Sequence, residues 1–413
     1  MTFIRHNFDY DSVVVGGGPA GATAANDLAK AGHRVLLLDR AGRIKPCGGA
    51  IPPRLIKDFE IPDHLLVAKA RMARMIAPSE KTVDMPVGDG FVGMVDRDQF
   101  DEWLRVRAQE NGADRQTGTY ERVDRDPDGT AVVVYTEQRG GAEMRVRTRS
   151  VLGADGARSA VARQNLKGAE RVKCVFAYHE IIKSPAPSAE YDPSRCDVFY
   201  QGKFSPDFYA WIFPHGDTAS IGVGSALKGY ELRDAIARLR TQSGLENCET
   251  IRREGAPIPL KPLKRWDNGR DVLVTGDAAG VVAPASGEGI YYAMAAGRFA
   301  ADAMQNFLAT GDARTLRQAR KQFMRAHGRV FMVLEIMQYF WYSSDKRRER
   351  FVKMCEDKDV QELTWQAYMN KELVRKKPMA HVRIFFKDLA HLFSSFSPQA
   401  ARSRSIALKQ SAG

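Results

Sequence analysis

The chain has 413 residues, 44% hydrophobic and 27% charged, which is enough for two or three domains with sizeable cores and excludes a disordered polypeptide. Its net charge of +12 points to an anionic partner and leaves nucleic acid, a diphosphate and an acidic bilayer open, with the excess concentrated where residues 370–413 carry nine Lys or Arg against two acids. Cys47, Cys174, Cys196, Cys248 and Cys355 are scattered, odd in number and without CxxC spacing, which argues for a reducing compartment and against a disulfide framework or a zinc site.

From the first residues, MTFIRHNFDYDSVVVGGG goes almost at once into a strand pattern and leaves no room for a signal or transit sequence. Asp11-Ser-Val-Val-Val15 reads as a buried strand. It runs into Gly16-Gly-Gly18-Pro19-Ala20-Gly21, a helix of small residues, and a second strand His33–Asp39. Strand, glycine turn, helix, strand and an acid 18 residues beyond Gly21 make a dinucleotide-binding βαβ fingerprint. Gly16 permits the tight turn, Gly18 lets the backbone approach a pyrophosphate, and Gly21 lets helix and strand pack closely. The helix start at Pro19 and Ala20 offers N–H groups to phosphate. Asp39, with Arg40 beside it, is placed to accept from a ribose. FAD and a nicotinamide nucleotide both fit these residues.

Further along come Lys45-Pro46-Cys47-Gly48-Gly49 and a helix start, Val95-Asp96-Arg97-Asp98-Gln99-Phe100-Asp101. A strand ending in Asp155-Gly156 follows, with a helix after it. In YAWIFPHGDTASIGVG, residues 209–224, a two-residue period puts Tyr209, Trp211 and Phe213 on one face and Ala210 and Ile212 on the other, before a polar turn and a second strand. Val272-Leu-Val-Thr-Gly276-Asp277 is another strand ending in an acid, and Pro284-Ala-Ser-Gly287-Glu288-Gly289-Ile290 leads into a helix of small residues. The longest apolar run, Val330–Tyr342, is 13 residues and contains Glu335 and Gln338, too short to span a bilayer. Being apolar on nearly all faces, it requires burial all round or a hydrophobic partner, and is placed to wall an apolar tunnel. From Met379 to Phe396 apolar residues recur every three or four positions among His381, Arg383 and Lys387, the pattern of a basic amphipathic helix suited to an anionic membrane surface or to the protein's own core.

The fingerprint, the Asp155-Gly156 turn, the Gly276-Asp277 turn and Arg97 together resemble the FAD-dependent family with the para-hydroxybenzoate hydroxylase fold, over roughly residues 8 to 310. The resemblance implies an α/β fold: an FAD-binding Rossmann-like domain, a mostly antiparallel β-sheet substrate domain and a C-terminal helical region. The expected division is 1–165 and 266–310 for the FAD-binding domain, 166–265 for the substrate domain, with 76–95 assignable to it, and 311–413 for the helical region. It also implies that Asp277 binds the ribitol or ribose, that Arg97, Asp155, Gly276, Cys47 and Gly48 contribute to the cofactor site, and that Gly287, Gly289 and Ile290 point N–H groups at the flavin pyrimidine edge. NADPH would reduce the flavin without a Rossmann domain of its own.

Within that family, Tyr209-x-Trp211-x-Phe213-Pro214, seven residues and Gly222-x-Gly224, together with Pro46-Cys47-Gly48-Gly49, is similar to the geranylgeranyl reductases of chlorophyll and bacteriochlorophyll synthesis, in a bacterial form. Such enzymes saturate three of the four double bonds of a geranylgeranyl chain to give phytyl, on the diphosphate or on the pigment ester. An isolated alkene has no carbonyl to hold negative charge, so a proton arriving with or before hydride gives the carbon cationic character. Tyr209, Trp211 and Phe213 would line the slot and stabilise that charge by roughly 0.5 to 2 kcal/mol per ring. Cys47 is the expected proton donor or a small buried side chain, with His215 and Glu288 as other sources or as structural groups. A cytoplasmic protein resting on a membrane is expected, with no nucleic-acid partner. A flavin monooxygenase of the same fold and a non-catalytic polyprenyl-binding protein are the competing readings.

Overall fold

The computed structural model describes residues 8–40, 44–137 and 140–371. The amphipathic pattern expected over 379–396 therefore lies outside the described residues.

Tyr10–Val15 ends in three β-branched valines that are buried, as a strand covered on both faces requires. Val35–Asp39 and Glu143–Gly153 lie parallel on either side of it. Asp114–Thr117 extends one edge and Val272–Val274 pairs with the far end of Glu143–Gly153, both parallel. The near half of that long strand instead carries an antiparallel pair, Thr119–Arg125 and Ala131–Thr136. The second strand of the fingerprint is thus two residues shorter than its sequence pattern, starting at Val35. Asp39 ends one of the parallel strands, and Gly16, Asp155 and Asp277 follow the carboxyl ends of three others, the edge at which open α/β sheets bind ligands.

Helices Pro19–Lys30 and Ile290–Thr310 cross at Gly297, where a Cβ would lie 2.5 Å from the Ala20 carbonyl oxygen. The alanines of both helices are the means of this close approach. Their buried faces join the strands, Phe100, Leu104 and Trp266 in the largest core.

A second seven-stranded sheet runs Thr250–Pro259, Cys174–Lys183, Thr218–Ser225, Ala210–His215, Arg195–Phe199, Met72–Ile76, Thr82–Pro86. It is antiparallel except where Arg195–Phe199 lies parallel to Met72–Ile76, so the sheet is mixed. Alternation along Ala210–His215 separates two cores: Ala210 and Ile212 pack with Ile221, Ile236 and Leu239 under helix Leu232–Gln242, while Tyr209 and Trp211 belong to the opposite face. That face meets the loop at Ala285 and the helices Arg317–Trp341, Asp345–Met354 and Lys358–Asn370.

Of the two alternatives for Val330–Tyr342, burial all round or a hydrophobic partner, the first does not hold among the described residues. Leu334, Met337, Phe340 and Trp341 pack with the aromatic core, but Met332, Ile336 and Tyr339 are 57%, 60% and 83% exposed. The helix lies on one side of the molecule with only half its circumference covered. Among the described residues no helix is long and apolar enough to cross a membrane.

Candidate active site

At the carboxyl edge of the first sheet, Gly16 adopts φ 106°, a left-handed geometry that favours glycine, and a Cβ there would lie 2.4 Å from the Ala154 carbonyl oxygen. A Cβ on Gly21 would sit 1.8 Å from the Gly16 oxygen, so turn and helix are in backbone contact. A Cβ on Gly18 would meet open space. The helix beginning at buried Pro19 has no side-chain cap at Gly18, and the helix beginning at Ile290 has none at Gly289. Two uncapped helix starts around an open glycine form a donor set that fits a dinucleotide pyrophosphate and the edge of a flavin ring.

Asp39 reaches back over this turn and accepts from Arg105 Nη1 at 3.3 Å, while the same guanidinium donates to the Gly17 carbonyl at 3.2 Å. Arg40 is exposed beside it. Gly276, at φ 61°, packs against Ala20, where its Cβ would fall 2.6 Å from the alanine methyl. The Asp277 side chain is 6% exposed, ion-paired with Lys45, and its Oδ1 would be 3.8 Å from a Cβ on Gly289. The two distant turns and the second helix start therefore converge on one place. Asp155 is engaged differently: its carboxylate accepts from the Ser159 hydroxyl and from the Ala160 and Val161 N–H groups, at 2.6 and 3.2 Å for the latter two. Burial raises its pKa against those donors, and it acts on the turn that follows it by holding the start of helix Ala160–Asn165.

The Lys45–Gly49 loop lies between this edge and the aromatic strand. A Cβ on Gly48 would come 3.0 Å from the Phe213 ring and 3.8 Å from Trp211 Nε1, so only a glycine lets the loop lie on those rings. Gly49, at φ 71°, has the Val95 carbonyl and the His215 ring within 2.5 Å of where its Cβ would be. His215 ties the arrangement together, with Nδ1 2.9 Å from Asp96 Oδ1 and Nε2 3.0 Å from the Gly48 carbonyl. Cys47 Sγ accepts from the Gly49 N–H at 3.4 Å. Arg97 is buried and bonded to Asp101 at 2.8 and 2.6 Å. Burial works against its charge, but Asp101 and the neighbouring Cys47 outweigh it and raise the guanidinium's pKa.

Tyr209, Trp211 and Phe213 form a continuous row, with ring centroids 5.9 and 6.1 Å apart. The Tyr209 hydroxyl donates to the Ser286 carbonyl and that of Tyr342 to the Ala285 carbonyl at 2.9 Å, so two phenols hold the loop that precedes Gly287. Burial, then Tyr342, Cys47 and Glu288, push the Tyr209 phenol up, out of reach of ionisation at neutral pH. Trp211 Nε1 donates to Ser220 Oγ at 3.1 Å. Ser220 meets His179 Nδ1 at 3.0 Å, and His179 Nε2 meets Glu254 Oε2 at 3.0 Å. Trp365, Tyr368 and Met369 of the last described helix share a cluster with Phe213.

The Glu288 side chain is 8% exposed and pairs with Lys371, whose Nζ lies 3.8 Å from the centre of the Tyr368 ring. Burial raises the Glu288 pKa and lowers that of Lys371, the ion pair opposing both. Neither this pairing nor Lys45, Arg105, Ser220, His179 and Glu254 was singled out from the sequence. Lys45, Ser220 and Glu288 stood inside quoted motifs, but without these partners. The others are separated in sequence from what they touch and carry no local pattern.

The chain is 59% identical over 390 residues, 94% of its length and 99% of the relative's, to geranylgeranyl diphosphate reductase of Rhodobacter capsulatus. It belongs to the geranylgeranyl reductase family. The chloroplastic geranylgeranyl diphosphate reductase of Oryza sativa subsp. japonica is 36% identical, covering 92% of this chain and 85% of that one. A profile of pyridine nucleotide-disulphide oxidoreductases matches residues 10–185 and one of lycopene cyclase proteins matches residues 218–390. Among solved structures, a geranylgeranyl bacteriochlorophyll reductase-like protein of Thermoplasma acidophilum superposes with a TM-score of 0.77 at 23% identity, covering 89% of this chain and 98% of that one. The fold is that of FAD-dependent oxidoreductases.

Proposed function

We propose that the chain is a flavin-dependent reductase that saturates double bonds of a geranylgeranyl chain, carried as the diphosphate or as the ester of chlorophyll or bacteriochlorophyll, with NADPH as the source of electrons. The observation that carries this reading is the seating of the Trp211–Phe213 rings on Gly48 while Tyr209 holds Ser286, which sets the aromatic wall between the two loops flanking the dinucleotide edge. When bound, FAD supplies hydride to the alkene. Gly16, Gly18, Pro19, Ala20 and Gly21 would hold its pyrophosphate, Asp39 and Arg40 the adenosine end, Arg97, Asp155, Gly276 and Asp277 the turn and ribitol side, and Gly287, Gly289 and Ile290 the flavin edge.

The chain's own contribution is to bind, exclude water and manage charge. A wall of Tyr209, Trp211 and Phe213 gives a prenyl chain an apolar surface, and their π faces favour the positive charge that develops as the alkene takes up a proton. Cys47 lies next to Arg97 and is assigned the proton-delivering role at its Sγ. Trp365 and Tyr368 share a cluster with Phe213 at the end of this wall. His215 is fully engaged by Asp96 and Gly48 and serves to fix the loop. The anionic partners fitting the net charge are the substrate diphosphate and a membrane surface. The domain division 1–165 with 266–310, 166–265 and 311–413 follows the same reading, strands between residues 72 and 86 joining the second sheet.

Anaerobic incubation with NADPH and each geranylgeranyl substrate, followed by mass spectrometry, tests the proposal. Mass gains in steps of two hydrogens are expected. Flavin bleaching with unchanged substrate mass, or, in a parallel incubation under air, a hydroxylated product formed with stoichiometric oxygen uptake, would overturn it. Cys47→Ser should slow product formation with flavin content retained, and undiminished turnover would remove Cys47 from the mechanism.

A further inference from the structure

On the outside of helix Arg317–Trp341 the exposed residues Lys321, Arg325, Arg329, Met332, Ile336 and Tyr339 follow one another at spacings of four, four, three, four and three. That spacing places them on a single stripe, cationic in its first half and apolar in its second. None of the three cations forms an ion pair with a described residue, whereas Glu335 beside the stripe is paired with Lys261 at 2.6 Å. Half of the exposed large apolar side chains among the described residues are these three, on a protein whose net charge is +12. The opposite face of the same turns supplies Leu334, Met337, Phe340 and Trp341 to the core that contains Tyr209 and Trp211. A single helix thus separates the aromatic wall from an apolar surface that no described residue covers.

We infer that this stripe docks on an anionic lipid surface, Met332 and Ile336 entering the acyl boundary, Tyr339 lying at the headgroups and Arg325 and Arg329 meeting lipid phosphates. The charge pattern decides among occupants. A second copy of the same stripe in an antiparallel pairing would leave its cations without anionic partners, and a neutral apolar partner would leave them unused, whereas an interfacial helix needs both halves. The purpose assigned to it rests on the proposed function: a polyprenyl substrate partitions into the membrane, and this face brings the wall to within one helix of that source.

The test uses the full chain and vesicle flotation without substrate. Vesicles of mixed phosphatidylcholine and phosphatidylglycerol are expected to carry the protein, and vesicles of phosphatidylcholine alone to carry much less. The triple variant Met332→Asp, Ile336→Asp, Tyr339→Asp should lower the bound fraction by about ten-fold or more, and Arg325→Gln with Arg329→Gln should weaken binding and flatten its salt dependence. Because these side chains are exposed, melting temperature should stay near that of the unaltered chain, and a double variant at exposed apolar positions elsewhere, Leu227→Asp with Ile251→Asp, should float as before. Failure of the unaltered chain to float, or equal flotation of the triple variant, overturns the inference, the latter assigning the contact to another part of the chain. A triple variant that turns a dimer into a monomer while the unaltered chain ignores vesicles gives the stripe to a second copy and also overturns it. Product formation from detergent-dispersed substrate reads the proposed function independently of where the protein binds.

Discussion

In the first sheet the glycines of the turn press against backbone, and in the second they press against rings. A Cβ on Gly21 would lie 1.8 Å from the Gly16 oxygen and one on Gly16 2.4 Å from the Ala154 oxygen. Across the register from Trp211, a Cβ on Gly222 would lie 2.0 Å from the indole, and one on Gly224 2.7 Å from the Phe208 ring. A peptide group cannot move without moving its element, so the first set fixes a surface for a phosphate. A ring can tilt, so the second set shapes a surface whose occupants are side chains. The two-glycine end of the aromatic motif thereby has a physical reason: it is the seat of the Trp211 and Phe208 rings, one strand away.

The comparison predicts which losses follow which substitution. Gly21→Ala forces two backbone segments apart and should cost about 3 kcal/mol or more, an affinity loss for FAD of about 100-fold or more, measured by fluorescence titration of the apoprotein. An unchanged dissociation constant would mean that the helix start is not where the pyrophosphate sits. Gly222→Ala displaces only an indole and should cost about 1 to 3 kcal/mol of stability, seen as a lower melting temperature, with FAD affinity held within about two-fold. Parallel loss of FAD would remove the distinction between the two kinds of glycine.

That distinction also explains what was legible in the sequence. Backbone-governed geometry leaves a local record: Gly16, Gly18 and Gly21 at fixed offsets, a strand before and an acid after, and all of it converged as read, with Asp277 joining it through its own turn. The alternation of Tyr209, Trp211 and Phe213 was equally legible because a strand has a period of two. Side-chain seating was not. Ser220, His179 and Glu254, which hold the Trp211 nitrogen, come from three strands and make sense only once the register places them together. Apolar content alone could not say that helix Arg317–Trp341 would leave one face uncovered, since burial depends on what else packs nearby. The Glu288–Lys371 pair joins residues 83 apart and has no pattern at all.

Trp211→Leu keeps an apolar side chain but removes the π face and the indole N–H. Turnover should fall by about 2- to 30-fold, the equivalent of about 0.5 to 2 kcal/mol, with flavin content nearly unchanged, measured as product formed per bound flavin. Equal losses of both would reduce the row to core. His179→Gln should reproduce part of that loss, because Ser220 then loses its partner and the indole its fixed orientation.

The smallest effect expected is a difference in acid sensitivity between the two sheets. Burial alone would raise Glu180, but Arg240 Nη1 at 2.6 Å and Arg253 Nε at 3.2 Å bring its pKa below the ordinary 4.5. Burial would also raise Glu254, and His179 with Arg252 likewise brings it below 4.5. A carboxylate depressed in the folded state gives stability that is complete above the unfolded value and is lost as pH falls through the folded one. Asp155 in the first sheet has the opposite sign: burial lifts it above 3.8, so the folded state holds its proton more tightly and acid relieves a cost. Below pH 4.5, amide protection in strands Cys174–Lys183 and Thr250–Pro259 should therefore decline before that in Tyr10–Val15, and Glu180→Gln should narrow the gap. The Arg253 side chain is 62% exposed, so solvent screens that half of the arrangement and keeps the effect below that of the substitutions above. Simultaneous loss in both sheets would show that they unfold as one unit, and the contrast between backbone-set and side-chain-set halves would then hold for ligand binding alone.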